Sequence, residues 1–207
     1  MILSIGTPYP KQIQFFEART KYIAYGGARG GGKSWAARTK AVLLALNNPG
    51  IQILLLRRTL NELRENHVVP LQKLLRCKQE EKIAQYRDQE KVFEFPNEAR
   101  IKLGYCDNEN DVLQYQGQAY DVIFMEEATQ FTESNRSSGL CKTNFRPRMY
   151  FTCNPGGVGH GWVKRLFIDR DYREKEVPED YTFIQSLVYE NKYLMERDPD
   201  YVRALEN

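Results

Sequence analysis

Gly26-Gly27-Ala28-Arg29-Gly30-Gly31-Gly32-Lys33-Ser34 is the stretch on which the fold turns. From Gly27 onward it satisfies the spacing G-x-x-x-x-G-K-[ST] in full, the Walker A phosphate loop. Each residue type has a physical reason. Glycines let the backbone curl until several N–H groups face one anion. A helix starting after the loop turns its positive end toward that anion. Lys33 is expected to reach the β- and γ-phosphates, and the Ser34 hydroxyl to ligate Mg²⁺. On this reading Gly27, Gly30, Gly31, Gly32, Lys33 and Ser34 bind the nucleotide, Lys33 is also a catalytic group, and Ser34 is also a metal ligand. Arg29 has two readings: a guanidinium that offsets charge developing on the γ-phosphate, and so a catalytic group, or a surface arginine turned to solvent.

The loop predicts its neighbours. A strand should enter it, and Lys21–Tyr25 is short and partly apolar. A helix should leave it, and Trp35, Thr39, Val42, Leu43 and Leu46 supply the apolar spacing before Asn47-Asn48-Pro49-Gly50 stops it. Ile51–Leu56 is almost continuously apolar, as in a strand buried on both faces of a parallel sheet. Thr59 and Glu62 have capping-box spacing for a helix over Leu60–Leu75, which Pro70 should kink. Lys91–Phe95 and Ala99–Tyr105 alternate around Pro96-Asn97, an antiparallel hairpin. Val122–Met125, Met149–Thr152 and Tyr181–Val188 read as further strands, with a short helix over Trp162–Phe167. Alternating strands and helices predict a P-loop three-layer α/β/α fold, its central sheet mainly parallel with the hairpin added.

Val122-Ile123-Phe124-Met125-Glu126-Glu127 is an apolar strand that ends in two carboxylates. An acid at this point holds Mg²⁺ in such ATPases, and a second beside it can polarise the attacking water. Glu126 is expected on the metal side and Glu127 as the catalytic base. Adjacent residues of an extended strand point to opposite faces, so the strand must end near Glu126 if both are to reach the site. Asp121 lies too far upstream to serve. The nucleotide is read as ATP: the Asn191-Lys192 pair is followed by Tyr193-Leu194, so no guanine-reading Asn-Lys-x-Asp is formed.

Composition adds bounds. A chain of 207 residues has room for one domain or two small ones, and needs no disulfide staples. The net charge of +3 is too small to point by itself to nucleic acid. Cys77, Cys106, Cys141 and Cys153 form no CxxC pair, and read as reduced cytosolic thiols. No apolar run has transmembrane length, and a soluble intracellular protein is expected.

Four blocks in order resemble the N-terminal ATPase domain of the large terminase subunit of tailed bacteriophages and prophages. Pro10-Lys11-Gln12 and Tyr22–Gly27 resemble that family's entry into its phosphate loop. Leu55-Leu56-Arg57-Arg58-Thr59 resembles the segment after its second strand. Tyr115–Asp121 leads into the acid motif as in the family. Thr152-Cys153-Asn154-Pro155-Gly156-Gly157, followed by Gly159–Arg165, resembles its coupling motif. The resemblance implies a motor that hydrolyses ATP with Mg²⁺ and drives double-stranded DNA into a prohead. Its implied partners are the portal protein, the small terminase subunit and further copies in a homo-oligomeric ring, in the host cytoplasm and without a membrane. Gln12 would contact the adenine, and Thr152 to Asn154 would sense the γ-phosphate. On local sequence alone, Asn154-Pro155-Gly156-Gly157 is a turn.

Two departures accompany the resemblance. Glu126 stands where aspartate is common, which implies a longer water-mediated metal contact. The stretch from Phe131 to Met149, which includes Asn135-Arg136-Ser137-Ser138-Gly139, is short for the family. Residues 1–190 are expected to form the ATPase domain and 191–207 a connecting segment toward a C-terminal nuclease, for which no residues are carried over. Two other classes fit less well: a helicase-like or recombination ATPase, against which the Thr152–Arg165 block argues, and an ATP-binding scaffold with little hydrolysis, against which the two glutamates argue.

Overall fold

Tyr22–Gly27 forms β1, the strand that delivers the chain into the phosphate loop, and its four middle residues are buried. The computed structural model describes residues 3, 5–27, 30–108, 111, 113–116, 118–133, 145–187, 191 and 196. Arg29, most of the short connection after Phe131, Val188 at the end of the last expected strand, and nearly all of the 191–207 segment lie outside the described residues.

β1 belongs to a sheet with β2 (Gln52–Arg57), β3 (Gln85–Arg87), β4 (Val92–Glu94), β5 (Arg100–Tyr105), β6 (Val122–Met125), β7 (Arg148–Cys153) and β8 (Tyr181–Ser186). Among the described residues the strand order is β3-β4-β5-β2-β6-β7-β1-β8. From β5 to β8 every pairing is parallel, while β3, β4 and β5 pair antiparallel. The hairpin expected around Pro96-Asn97 is β4–β5, and Asn97 also ties its turn to α2 (Lys33–Asn47) by donating to the Ala45 carbonyl at 2.8 Å. β3 extends this antiparallel edge and had no signal in the sequence beyond three residues of weak alternation.

The continuous apolar runs have the cause inferred for them. On β2, Ile53 and Leu55 enter one buried cluster while Leu54 and Leu56 enter another. That is the two-residue period of a strand covered on both faces. The first cluster is filled by α2 through Ala37, Ala41 and Val42, and by Phe15 of α1 (Pro10–Glu17). The second is filled by Trp162 and Val163 of α6 (His160–Val163), and by Leu166 and Phe167 of the π-helical turn Lys164–Asp169. Three layers result. A short helix, α5 (Leu113–Gln116), precedes β6. No helix among the described residues is long and apolar enough to cross a membrane.

The helix expected over Leu60–Leu75 is present but is interrupted. It consists of α3 (Leu60–Leu63), a π-helical turn over Arg64–Val68 and α4 (Val69–Leu74). Thr59 caps it as expected, its hydroxyl accepting from the Glu62 N–H at 3.3 Å. Pro70 accounts for the π turn. Proline offers no N–H, and its ring crowds the carbonyl four residues earlier, that of Asn66. The backbone widens, so that the Val69 N–H bonds to the Arg64 carbonyl. The orphaned Asn66 carbonyl accepts instead from the Arg38 guanidinium on α2.

Because six strands run the same way, their C-terminal ends line one edge of the sheet. Gly27, Arg57, Met125, Cys153 and Ser186 lie there, and ligands of open parallel sheets bind at such an edge.

Candidate active site

The loop that leaves β1 depends on glycine where the backbone is left-handed. Gly27 has φ 141°, Gly30 80° and Gly32 70°. A methyl group on Gly27 would sit 2.1 Å from the Ser186 carbonyl oxygen, so this position has neither the torsion nor the space for a side chain. The loop is held from its outer side. The Gly31 carbonyl accepts from Ser186 Oγ at 3.2 Å and Tyr25 Oη at 3.4 Å, and the Gly30 carbonyl accepts from the Asn191 amide. In a trans peptide the following N–H points opposite to the carbonyl. The N–H groups of Gly31 and Gly32 are therefore turned away from these anchors, and a phosphate would use them. α2 starts at Lys33, immediately beyond Gly32.

A cleft of about 430 Å³ opens over the loop, walled by Gly30, Gly31, Gly32, Lys33 and Ser34 on one side and by Glu127 and Asn154 on the other. Burial pushes the Lys33 ammonium down, opposed chiefly by the negative charge of Glu127.

β6 ends at Met125, and the two carboxylates after it are placed by a backbone reversal. Glu127 is left-handed at φ 53°, ψ 49°, an uncommon conformation for a side-chain-bearing residue. Its N–H donates to Thr152 Oγ1 at 3.2 Å. Its two oxygens accept from Asn154 Nδ2 at 3.0 and 2.8 Å, which holds the carboxylate in the cleft wall.

Glu126 is fully buried. One of its oxygens, Oε2, accepts from Ser34 Oγ at 3.2 Å, Arg57 Nη1 at 2.5 Å and His67 Nε2 at 2.7 Å. The other, Oε1, accepts no hydrogen bond among the described residues. Burial alone would push this carboxyl up. The His67 ring and the Arg57 and Arg38 guanidiniums more than offset that, bringing it down to about 2, so Glu126 is a carboxylate at neutral pH. Burial pushes the His67 imidazolium down, opposed by the Glu126 carboxylate, and since a carboxylate only accepts, the ring donates to it from Nε2. Asp121 is at the opposite end of β6, where it accepts from the Gln52 N–H at 2.9 Å.

The structure brings Lys33, Ser34, Glu126, Glu127 and Asn154 to one end of the sheet. It does not gather every residue read from the sequence into the cleft. Thr152 lies beneath Glu127 and meets its backbone. Gly27 packs on β8. Gln12 is buried beside the loop, where it accepts from the Tyr9 N–H at 2.8 Å and donates to the Gly32 carbonyl at 3.4 Å. It also lines a neighbouring cavity of about 480 Å³, together with Thr7, Tyr9 and Trp35.

Sequence reasoning missed the far wall of the cleft. Arg57, Glu62 and Asn66 line it, and His67 stands behind it. Arg57 is the last residue of β2 and bridges Glu126 to Glu62. The one available signal was a cation closing an otherwise apolar strand. His67 and Asn66 carried none, because their placement depends on the π turn.

The donors suit Mg²⁺. A hydroxyl and a carboxylate are hard oxygen ligands, and Mg²⁺ keeps several waters rather than filling its shell from protein. Glu126 meets Ser34 Oγ through Oε2 and keeps a buried Oε1 with no partner among the described residues, so the carboxylate has an acceptor to spare for such a water.

The family model for the phage terminase large subunit matches residues 19–207 of this chain. The large terminase of a thermophilic bacteriophage is similar in structure, with TM-score 0.69 and 19% identity over 92% of this chain and 50% of that one. The same thermophilic-phage protein in complex with ADP gives TM-score 0.69 and 19% identity over 94% of this chain and 49% of that one. The large terminase ATPase domain of Thermus phage P74-26 gives TM-score 0.67 and 15% identity over 92% of this chain and 85% of that one. The chain thus spans about half the length of the first of these proteins. Comparison with curated proteins finds no significant match. At these identities the structural likeness speaks to the fold, and the family rests on the sequence match.

Proposed function

Because the chain belongs to the phage terminase large subunit family, we propose that it is the Mg²⁺-dependent, ATP-hydrolysing motor domain of a DNA-packaging terminase. The observation that carries this reading is the Glu127 carboxylate held in the wall of a phosphate-loop cleft by Asn154. A site that only bound nucleotide would have no use for a second carboxylate held there in an uncommon backbone conformation. Binding of ATP-γ-S and ADP by the large terminase of the thermophilic bacteriophage supports the choice of nucleotide.

Each residue has a role in this proposal. Gly30, Gly31 and Gly32 give N–H groups to the phosphates, and Lys33 neutralises the β- and γ-oxygens. Gly27 lets the loop turn off β1. Ser34 and Glu126 hold Mg²⁺, which when bound neutralises charge on the β- and γ-phosphates. Glu127 takes a proton from the attacking water. Gln12 fixes the loop edge beside the cavity that would receive the adenine. Asn154 reports the γ-phosphate through its grip on Glu127, with Thr152 anchoring the backbone beneath. Arg29 is proposed as a further cation for the γ-phosphate.

The larger proposals follow from the family. Residues 1–190 act as the ATPase domain and 191–207 as a connector. The substrate moved is double-stranded DNA, and the working assembly is a ring on a prohead with the portal protein and the small terminase subunit, in the host cytoplasm. The deciding experiment measures ATP turnover of the protein with Mg²⁺, alone and with proheads, portal and linear duplex DNA. Turnover that rises with proheads, together with nuclease-protected DNA, is the expected result. Turnover unaffected by proheads, or strand separation during hydrolysis, would overturn the packaging reading.

A further inference from the structure

His67 is fully buried, yet its polar ring has one partner of consequence, the carboxylate of Glu126 on a different element. A carboxylate can only accept, so the ring donates to it from Nε2. Nδ1 has no hydrogen-bond partner among the described residues. An imidazole buried with one nitrogen unpaired calls for an explanation, since a leucine could fill the same space at less cost. The explanation lies in what the ring touches. All three donors to Glu126 fall on Oε2, and His67 and Arg57 are the two of them that do not belong to the phosphate loop.

The backbone that presents His67 is also built for the purpose. Pro70 forces the π turn, and Arg38 fastens that turn to α2 through the Asn66 carbonyl. α2 carries Ser34 at its start, so the ring and the serine hydroxyl are referred to the same helix. A π turn inside a helix often marks a functional position.

We infer that His67 is a positioning residue for Glu126: its Nε2–H holds Oε2, the oxygen that Ser34 Oγ also meets, and so fixes the carboxylate beside the serine hydroxyl, where the two would hold the metal and its water. The inference rests on the reading of Glu126 as the metal-side acid. It assigns His67 to metal affinity rather than to nucleotide affinity.

The test uses the intact chain and a non-hydrolysed ATP analogue. Analogue affinity is measured by calorimetry in EDTA and then across a Mg²⁺ titration, for the wild type, His67→Leu, His67→Gln and Glu126→Gln. His67→Leu should raise the Mg²⁺ concentration for half-effect by about 10- to 100-fold, the usual consequence of losing a partner behind a metal ligand. Its affinity in EDTA should stay within about twofold, because no phosphate contact is touched. His67→Gln keeps a donor of similar reach and should recover most of the loss. If His67→Leu does not fold, His67→Asn, whose amide is too short, replaces it with the same expectation. An unchanged Mg²⁺ half-effect in the folded variant, or equal losses with and without Mg²⁺, overturns the inference. If Glu126→Gln shifts the half-effect and His67→Leu does not, only the role of His67 fails. If neither shifts it, the metal-side reading of Glu126 fails as well.

Discussion

Asn154 Nδ2 donates to both carboxylate oxygens of Glu127, at 3.0 and 2.8 Å, and so joins the loop after β7 to the loop after β6. The two loops stay joined beyond that point. Thr129 Oγ1 donates to the Asn154 carbonyl at 3.0 Å, and the Gly159 N–H to the Thr129 carbonyl at 2.7 Å. Trp162 Nε1 donates to the Phe131 carbonyl at 2.8 Å, and Arg165 pairs with Glu133 at 2.7 Å. The carboxylate proposed to activate water is thus the first rung of a ladder that ends on the helix packed under the sheet.

Asn154→Ala should leave Glu127 present but unaimed. Reactions that depend on a positioned group lose about 10²-fold for small misplacements. Single-turnover hydrolysis should fall by about that factor, with nucleotide affinity changed little, because Asn154 is not needed to hold the phosphates. Quenched-flow hydrolysis beside equilibrium binding decides this; a variant that binds tenfold more weakly yet hydrolyses at the normal rate would show that Asn154 acts on the nucleotide and not on Glu127.

Gly27→Ala should damage the loop through sterics alone. The residue would have to keep φ 141°, and its methyl group would meet the Ser186 carbonyl at 2.1 Å. The torsion by itself costs about 1–3 kcal/mol, and the clash adds to it. A lowered denaturation midpoint together with weakened nucleotide binding is expected. Gly50→Ala is the control, since φ is 74° there but nothing lies near the added methyl group. Equal losses in the two variants would mean that β8 does not constrain the loop.

How far the sequence carried the fold can be seen from β2 and the helix after it. Ile51–Leu56 was legible because burial on both faces leaves only apolar residues, whatever the neighbours are. Gly27–Ser34 was legible because binding a phosphate with backbone N–H groups dictates glycine, lysine and serine at fixed spacing. Arg57 and His67 were not legible. Each matters only because β6 lies beside β2 and delivers Glu126 to the same edge, a relation between positions 69 and 59 residues apart. Pro70 was read as a kink, but that Arg38 would take the carbonyl it orphans depends on α2 packing there. The left-handed turn at Glu127 is likewise invisible in two adjacent glutamates.

A dilute preparation of this chain should hydrolyse ATP slowly. Arg57, the described arginine in the cleft wall, is committed to Glu126 and Glu62. Charge developing on the γ-phosphate then calls for a cation beyond Lys33 and the proposed Arg29. An arginine supplied by a neighbouring copy contributes about 10³–10⁵ in rate in comparable enzymes. Specific activity should therefore rise with protein concentration or on assembly onto proheads. Fast turnover that is independent of concentration would mean that the chain completes its own site.

The two glutamates and Lys33 can be separated by one set of variants. Glu127→Gln keeps the shape and the contact with Asn154 Nδ2 through its amide oxygen, but it can no longer accept a proton from water. Hydrolysis should fall by about 10²–10⁴, the worth of general-base assistance, while ATP binding persists. Glu126→Gln leaves the base in place and instead replaces an acceptor that three donors share. An amide has one oxygen where the carboxylate had two, so Arg57 or the metal-bound water must lose its partner. Nucleotide affinity and its dependence on Mg²⁺ should both shift. Lys33→Ala removes the ammonium from the cleft wall and should weaken binding with or without Mg²⁺. Affinity measured beside single-turnover hydrolysis separates the three. Normal hydrolysis by Glu127→Gln with a dead Glu126→Gln would reverse the two roles. Normal hydrolysis by both would remove the end of β6 from the chemistry altogether.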